Sequence, residues 1–298
     1  MANILRTAPA EATVGELRQQ CKDQRTLQGP TWEQAVFERE AINNPYAIIA
    51  HRSNYVLPLS YSKADETPYE ETLNGKSLDD IEVKFQVSLK YVAIEDLFVD
   101  DLDLELAFTA TSWWQAYNSA ISSPFRETNY EPELIFTYKK PWSLFGLPVT
   151  ESFVSFTHQS NGQAGELSRS WNRVIAGFEV TSGDLKWGAR SWWRIPEDEK
   201  EYQGDPDGDD NPNMYQYMGY GEFNASWQAM PGHNIDVILR NNFKSDNKGA
   251  IRLGWTFPLA KHLRGYVEYF NGYGEGLIYY NEHTERIGLG VKLTDWAD

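Results

Sequence analysis

Apolar and polar residues alternate in short runs along this chain from about residue 46 onward. In the clearest run every second residue is apolar: Ile81, Val83, Phe85, Val87, Leu89 and Tyr91. The residues between them are charged or polar: Glu82, Lys84, Gln86, Ser88 and Lys90. Because the side chains of a strand point alternately to its two faces, this pattern predicts β-strands with one apolar and one charged face.

About twelve such runs follow one another, separated by turn residues. They lie near 46–61, 81–94, 101–117, 130–140, 147–160, 168–182, 184–195, 213–228, 233–244, 249–258, 262–273 and 284–295. An even number of antiparallel strands is typical of bacterial membrane barrels. We therefore predict an all-β fold, a transmembrane antiparallel β-barrel of about twelve strands in an up-and-down meander.

The composition fits a membrane barrel. No apolar run approaches the roughly 20 residues that a spanning helix needs, but in a strand only every second residue has to face lipid. The chain has 11 Trp and 17 Tyr, which favour the membrane–water interface, and one run ends in Trp113-Trp114. A soluble β-sandwich would also alternate, and it stays an alternative that predicts solubility without detergent.

Charge and cysteine content exclude other classes. The net charge of −16 argues against nucleic acid as a partner, and the single cysteine, Cys21, rules out an intrachain disulfide. Residues 1–44 are mixed and polar without an apolar signal-peptide core, so we expect the chain to begin near a mature terminus. We interpret 1–44 as an N-terminal periplasmic extension and 45–298 as the barrel.

One polar stretch, 158–172, carries the groups of a nucleophilic hydrolase. His158 and Ser160 are two residues apart and share a strand face, and Asn172 heads the next run. If the two strands pair as a hairpin, a hydroxyl, an imidazole and an amide orienter meet on the apolar face. In a membrane barrel that face meets lipid, which predicts a lipid substrate.

Five motifs together resemble the outer-membrane phospholipase A family of Gram-negative bacteria. They are HQSNG at 158–162, SRSWNR at 168–173, SSPFRETNYEP at 122–132, YMGY at 217–220 and GYGE at 272–275. The resemblance spans about 46–295. It implies a multi-pass barrel in the outer membrane that hydrolyses the sn-1 and sn-2 acyl esters of phospholipids and lysophospholipids.

The resemblance also implies roles for individual residues. Ser160 would be the nucleophile, His158 the base and Asn172 the orienter, with the Gly162 amide in the oxyanion hole. Calcium would be held at the interface of a calcium-dependent homodimer. Its protein ligands would be the Ser168 hydroxyl and the Gln163 carbonyl of one copy and the Ser122 carbonyl of the other. Family members often carry arginine where Gln163 stands, a change that a backbone ligand should tolerate.

Two further readings stay open at this point. A non-enzymatic barrel, a porin or an adhesin, would need a water-filled lumen or elaborated loops, and twelve strands with a charged interior leave little open pore. The acidic loop at 204–212 could attract a cation, with Asp210 as an additional calcium ligand, but a solvated acidic loop is the better explanation.

Overall fold

The computed structural model describes residues 44, 46–63, 65–121, 125–202, 205, 208–260 and 263–293. The chain divides into two compact units, residues 1–49 and 50–298. Nearly all of the expected extension at 1–44 lies outside the described residues, and so does Ser122.

The described residues form mostly strands. In chain order these are β1 (Ile48–Ala50), β2 (Asn54–Tyr61), β3 (Ile81–Ile94), β4 (Leu102–Trp114), β5 (Phe125–Tyr138), β6 (Trp142–Leu144), β7 (Leu147–Val149), β8 (Glu151–Ser160), β9 (Ser170–Ser182), β10 (Leu185–Arg194), β11 (Gly221–Met230), β12 (His233–Asn241), β13 (Gly249–Ala260), β14 (Leu263–Tyr273) and β15 (His283–Leu293). Two short α-helices accompany them, α1 (Glu70–Leu73) and α2 (Met214–Met218), with 3₁₀ turns at Thr67–Tyr69 and Gly165–Leu167. No helix in the described part of the chain is long and apolar enough to cross a membrane.

Twelve of the described strands close into one antiparallel barrel. Each pairs with its neighbour in the order β2, β3, β4, β5, β8, β9, β10, β11, β12, β13, β14, β15, and β15 returns to β2. The closing register sets Ile287 opposite Tyr61. β6 and β7 form a separate small hairpin between β5 and β8. The prediction of a twelve-stranded meander is confirmed.

Several predicted strand boundaries were wrong. The run at 46–61 is interrupted at 51–53, where the Arg52 side chain bonds Glu131 and Glu133. β5 begins at Phe125, five residues earlier than predicted, and its first ring stacks on Trp114 with centroids 5.7 Å apart. The predicted run at 147–160 divides into β7 and β8.

The predicted run at 213–228 opens with helix α2. Met214 and Met218 are both buried. A spacing of four residues brings two side chains onto one face of a helix, so burying both methionines favours a helical turn here over a strand.

The barrel is apolar outside and charged inside. In β3 the alternate residues Glu82, Lys84, Gln86, Ser88 and Lys90 are buried. On the outer face large apolar side chains are exposed, among them Leu106, Phe108, Val154, Phe156, Trp255, Ile287 and Leu289. This distribution is the reverse of a water-soluble domain and is stable where hydrocarbon surrounds the protein.

Ion pairs between distant strands fill the interior. Lys84 Nζ lies 2.6 Å from Glu268 Oε1 and 2.9 Å from Glu275 Oε1. Arg126 forms a two-point contact with Glu82. Buried charges of this kind are tolerated because each finds an opposite charge.

One end of the interior also holds an apolar plug. A buried cluster joins residues of β9, β10, α2 and the β14–β15 loop: Trp171, Ile175, Trp192, Met214, Met218, Leu277 and Tyr280. Two of its members, Trp171 and Ile175, belong to the strand that carries Asn172. The plug therefore supports the β8–β9 end of the barrel from within.

Candidate active site on the outer face of the barrel

The three predicted catalytic side chains lie at the junction of β8 and β9. The two strands pair antiparallel, with His158 directly opposite Asn172 and Ser160 opposite Ser170. Thr157, which precedes His158, and Trp171, which precedes Asn172, are both buried. His158 and Asn172 therefore stand on the outward face, because neighbouring strand residues point to opposite sides.

A hydrogen bond joins the first two of these side chains. His158 Nδ1 lies 2.8 Å from Asn172 Oδ1. An amide oxygen can only accept, so Nδ1 carries the ring proton and Nε2 is left as a free acceptor. An imidazole held in this tautomer can take a proton from a hydroxyl.

Ser160 stands at the end of β8, with its hydroxyl beside a backbone amide. The amide of Gly162 donates to Ser160 Oγ at 3.0 Å. Among the hydrogen bonds between described residues, none joins Ser160 to His158 directly. Such contacts are often long before substrate binds. Gly162 has φ of +65°, a left-handed conformation that glycine adopts without strain in the turn after β8.

The turn after Ser160 is held by Asn161, which the sequence pattern did not single out. Asn161 is buried, and its Oδ1 accepts from the amides of Gln163 at 3.2 Å and Arg169 at 3.0 Å. Its Nδ2 donates to the Leu167 carbonyl at 2.7 Å. A buried side chain that bonds both ends of a loop holds that loop in one conformation.

The inward side of the same strands is packed tightly. Trp171 is fully buried and donates from Nε1 to Gln159 Oε1 at 2.7 Å. The Arg173 guanidinium lies 3.9 Å from the Trp171 ring centroid and bonds Glu131. Asn172 sits between these two anchored residues, so its backbone position is well defined.

Oxygen atoms gather next to the site, where the sequence predicted calcium ligands. Ser168 Oγ donates to Asp210 Oδ2 at 2.6 Å. The other oxygen of Asp210 lies 2.5 Å from Lys200 Nζ, a partner that the sequence did not indicate. Gln163 is in the same turn, while Ser122 lies outside the described residues. In the described part of the chain no group of three or more His, Cys, Asp or Glu side chains could hold a metal ion.

A further residue contacts the predicted triad. Asn172 Nδ2 donates to Glu197 Oε1 at 2.7 Å. Glu197 lies three residues after the end of β10. The pairing with β9 extends as far as Ile195, whose backbone N donates to the Asn172 carbonyl at 2.8 Å. No local sequence pattern indicates this contact, since 25 residues separate the two positions.

A closed barrel with an apolar exterior and a charged interior defines an outer-membrane β-barrel protein, and this one carries a histidine, an asparagine and a serine close together at the junction of β8 and β9. The sequence model of the family described as Phospholipase A1 matches residues 31–293 of this chain. The chain belongs to this phospholipase A1 family and is an ester hydrolase of the Gram-negative outer membrane.

Known relatives and structures agree with this assignment. The chain is 32% identical to phospholipase A1 of Klebsiella pneumoniae over 253 residues, which cover 85% of this chain and 84% of the relative. It is 31% identical to phospholipase A1 of Escherichia coli K12 over 258 residues, covering 85% and 83%.

Among solved structures, outer membrane phospholipase A from Escherichia coli superposes with a TM-score of 0.74 at 29% identity, covering 85% of this chain and all of that one. The Salmonella typhi outer membrane phospholipase, a dimer with bound calcium, superposes with a TM-score of 0.77 at 29% identity. That match covers 89% of this chain and 99% of the other.

Proposed function

We propose that this enzyme hydrolyses the sn-1 and sn-2 acyl esters of phospholipids and lysophospholipids with Ser160, His158 and Asn172, and that it does so as a calcium-dependent homodimer. The observation that carries the proposal is the 2.8 Å contact between His158 Nδ1 and Asn172 Oδ1 on the outward face of β8 and β9. A hydrolytic site on that face meets acyl chains directly, so a membrane lipid is the substrate that can reach it.

The first half of the reaction forms an acyl-enzyme. Ser160 Oγ attacks the ester carbonyl carbon while His158 Nε2 takes the hydroxyl proton, and Asn172 holds the ring as it becomes positive. The Gly162 amide, which now faces Ser160 Oγ at 3.0 Å, donates to the developing oxyanion. His158 then gives its proton to the leaving alcohol oxygen of the lysophospholipid.

The second half returns the free enzyme. A water molecule gives a proton to His158 Nε2 and attacks the acyl carbon; the bond from that carbon to Ser160 Oγ then breaks, the fatty acid leaves, and His158 returns the proton to Ser160 Oγ. Hydrolysis of a lysophospholipid needs the same groups and differs only in the leaving alcohol.

The residues near Ser160 fit a calcium ion. Calcium binds oxygen, and the Ser168 hydroxyl and the Asp210 carboxylate lie together, with Gln163 in the same turn as Ser168. When bound, calcium supplies positive charge that favours the oxyanion. Ser122 of a second copy would complete the set, which makes calcium binding and dimerisation dependent on each other. A calcium-bound dimer in the Salmonella typhi structure supports this part of the proposal.

The alternative of a porin or an adhesin has less support. The interior holds buried ion pairs such as Lys84 with Glu268, and the plug cluster around Trp171 fills one end. A filled interior leaves little room for diffusion of solutes.

The test is release of fatty acid from micellar phospholipid by the purified protein in detergent, with calcium and with chelator. The proposal expects calcium-dependent hydrolysis by the wild type and sulfonyl fluoride modification of Ser160. Hydrolysis that continues in Ser160→Ala would overturn the nucleophile assignment. Full activity in chelator would overturn the calcium requirement alone.

A further inference from the structure

Asn172 uses both ends of its side-chain amide. Oδ1 accepts from His158 Nδ1 at 2.8 Å, and Nδ2 donates to Glu197 Oε1 at 2.7 Å. Glu197 is partly buried on the chain segment that follows β10. The backbone hydrogen bond from Ile195 to Asn172 places these two residues opposite each other. Glu197 lies two positions beyond Ile195, so in an extended chain its side chain points to the same outward side as Asn172.

An asparagine that orients a histidine must itself be held in one of two amide orientations. The oxygen and nitrogen ends of an asparagine have nearly the same shape, so the group fits its place in either of two orientations related by half a turn. In the reversed orientation Nδ2 would donate to His158 Nδ1 and drive the ring proton to Nε2. A ring protonated at Nε2 cannot take the proton of Ser160, so the reversed orientation is inactive.

An ionised carboxylate removes this ambiguity because it only accepts hydrogen bonds. Placed beside Asn172, the Glu197 carboxylate attracts Nδ2 and repels Oδ1, which leaves Oδ1 facing His158. An aspartate in the orienter position would need no such partner, since both of its oxygens accept. An asparagine in this position therefore needs a neighbouring acceptor such as the Glu197 carboxylate to hold its amide in one orientation.

We propose that Glu197 is a positioning residue for hydrolysis, which sets the amide orientation of Asn172 and through it the tautomer of His158. This inference rests on the proposed function of Ser160, His158 and Asn172. Glu197 acts only through Asn172 and contacts no reacting atom.

The test compares Glu197→Ala with Glu199→Ala, an exposed glutamate on the same segment. Glu197→Ala should lower kcat about tenfold and leave KM and the calcium concentration for half-maximal activity unchanged. The rate of Ser160 sulfonylation should fall by a similar factor. Glu199→Ala should behave like the wild type. Wild-type kcat in Glu197→Ala, or a change confined to KM or to the calcium response, would overturn the proposal.

Two further variants separate positioning from a general structural effect. In an Asn172→Ala background, Glu197→Ala should have no additional effect on kcat, because the amide that it positions is gone. Glu197→Gln keeps the size of the side chain, but its amide can turn either its oxygen or its nitrogen toward Asn172, so it should lose most of the kcat that alanine loses. A full additional loss in the double variant, or a glutamine variant as active as the wild type, would contradict the inference.

Failure of the inference and failure of the proposed function give different results. If the wild type hydrolyses lipid and Ser160→Ala does not, while Glu197→Ala is fully active, only the role of Glu197 is lost. If Ser160→Ala is active, the proposed function itself is wrong.

Discussion

His158 and Asn172 are cross-strand partners, and their side chains meet at 2.8 Å on the outward face of the barrel. Opposite residues of an antiparallel pair keep a nearly constant separation, so the strand ladder itself holds the proposed base and its proposed orienter together. Neither residue lies on a loop, which makes the pair rigid before any lipid arrives.

Replacement of the three proposed catalytic groups should give graded losses. Ser160→Ala should reduce hydrolysis to background, and His158→Ala should lower kcat by about 10³-fold, since a general base typically contributes 10²–10⁴-fold. Asn172→Ala should lose about tenfold, because the orienter does not react. Fatty acid release measures all three, and unchanged unfolding in denaturant verifies that the barrel is intact. Ordinary turnover by Ser160→Ala would remove this assignment.

Gly162→Ala should impair the proposed oxyanion hole. Gly162 has φ of +65°, and an added Cβ would lie 3.2 Å from Tyr130 Cε2, so the turn has to shift. We expect kcat to fall about tenfold with little change in KM. Gly165→Ala is the matched control, because Gly165 has φ of +66° with nothing within 4 Å of an added Cβ. Equal losses in both variants would mean that backbone strain, and not the amide at Ser160, is responsible.

Ser168→Ala should raise the calcium requirement. It removes a side-chain oxygen donor, and the calcium concentration for half-maximal activity should rise at least tenfold. Gln163→Ala should change it little, since only the Gln163 carbonyl is proposed to bind. Chemical cross-linking across a calcium titration should show the dimer forming at correspondingly higher calcium in Ser168→Ala. Identical titrations for Ser168→Ala and wild type would exclude the shared site.

Lys200→Met should have the opposite effect on calcium. Lys200 Nζ lies 2.5 Å from Asp210 Oδ1, while Asp210 Oδ2 accepts from Ser168. Removing the ammonium leaves the carboxylate charge free to attract calcium. A partly exposed pair is worth up to about 1 kcal/mol, which corresponds to a roughly fivefold tighter calcium dependence. Lys76→Met, at an exposed lysine, serves as control, and a weaker calcium response in Lys200→Met would contradict the prediction.

Glu275 should make folding stability depend on pH. Burial alone would raise its pKa, but Arg286 and Lys84 outweigh burial and hold the pKa of Glu275 at about 2. A folded-state pKa below the unfolded value of 4.5 stabilises the protein above pH 4.5, and that contribution is lost as pH falls toward 2.

The variant Glu275→Gln should therefore destabilise the barrel at neutral pH, by on the order of 3 kcal/mol for a broken buried pair. The difference from wild type should shrink between pH 4.5 and 2. Denaturant unfolding in detergent at several pH values measures it. Glu282→Gln, at an exposed position near the end of the β14–β15 loop that also carries Glu275, should show no such trend. A pH-independent difference for Glu275→Gln would refute the ion-pair explanation.

Much of this fold could be predicted from the sequence because the alternation of side chains along a strand depends only on neighbouring residues. The alternation through Ile81, Val83 and Phe85 predicted both the strands and the face that each side chain occupies. His158 and Ser160 shared a face by spacing alone. Within the described residues the structure confirms the twelve-stranded barrel and brings His158 to Asn172.

The contacts between distant residues depend on how the strands assemble. Lys84 meets Glu268 across 184 positions, and Glu197 reaches Asn172 only because β10 lies beside β9. The helical turn at Met214 and Met218 also depends on the plug into which both side chains pack. Periodicity encodes which way a residue points, since that is a property of one strand. Which charge lies opposite depends on how the strands close into a barrel, and no local pattern encodes that closure.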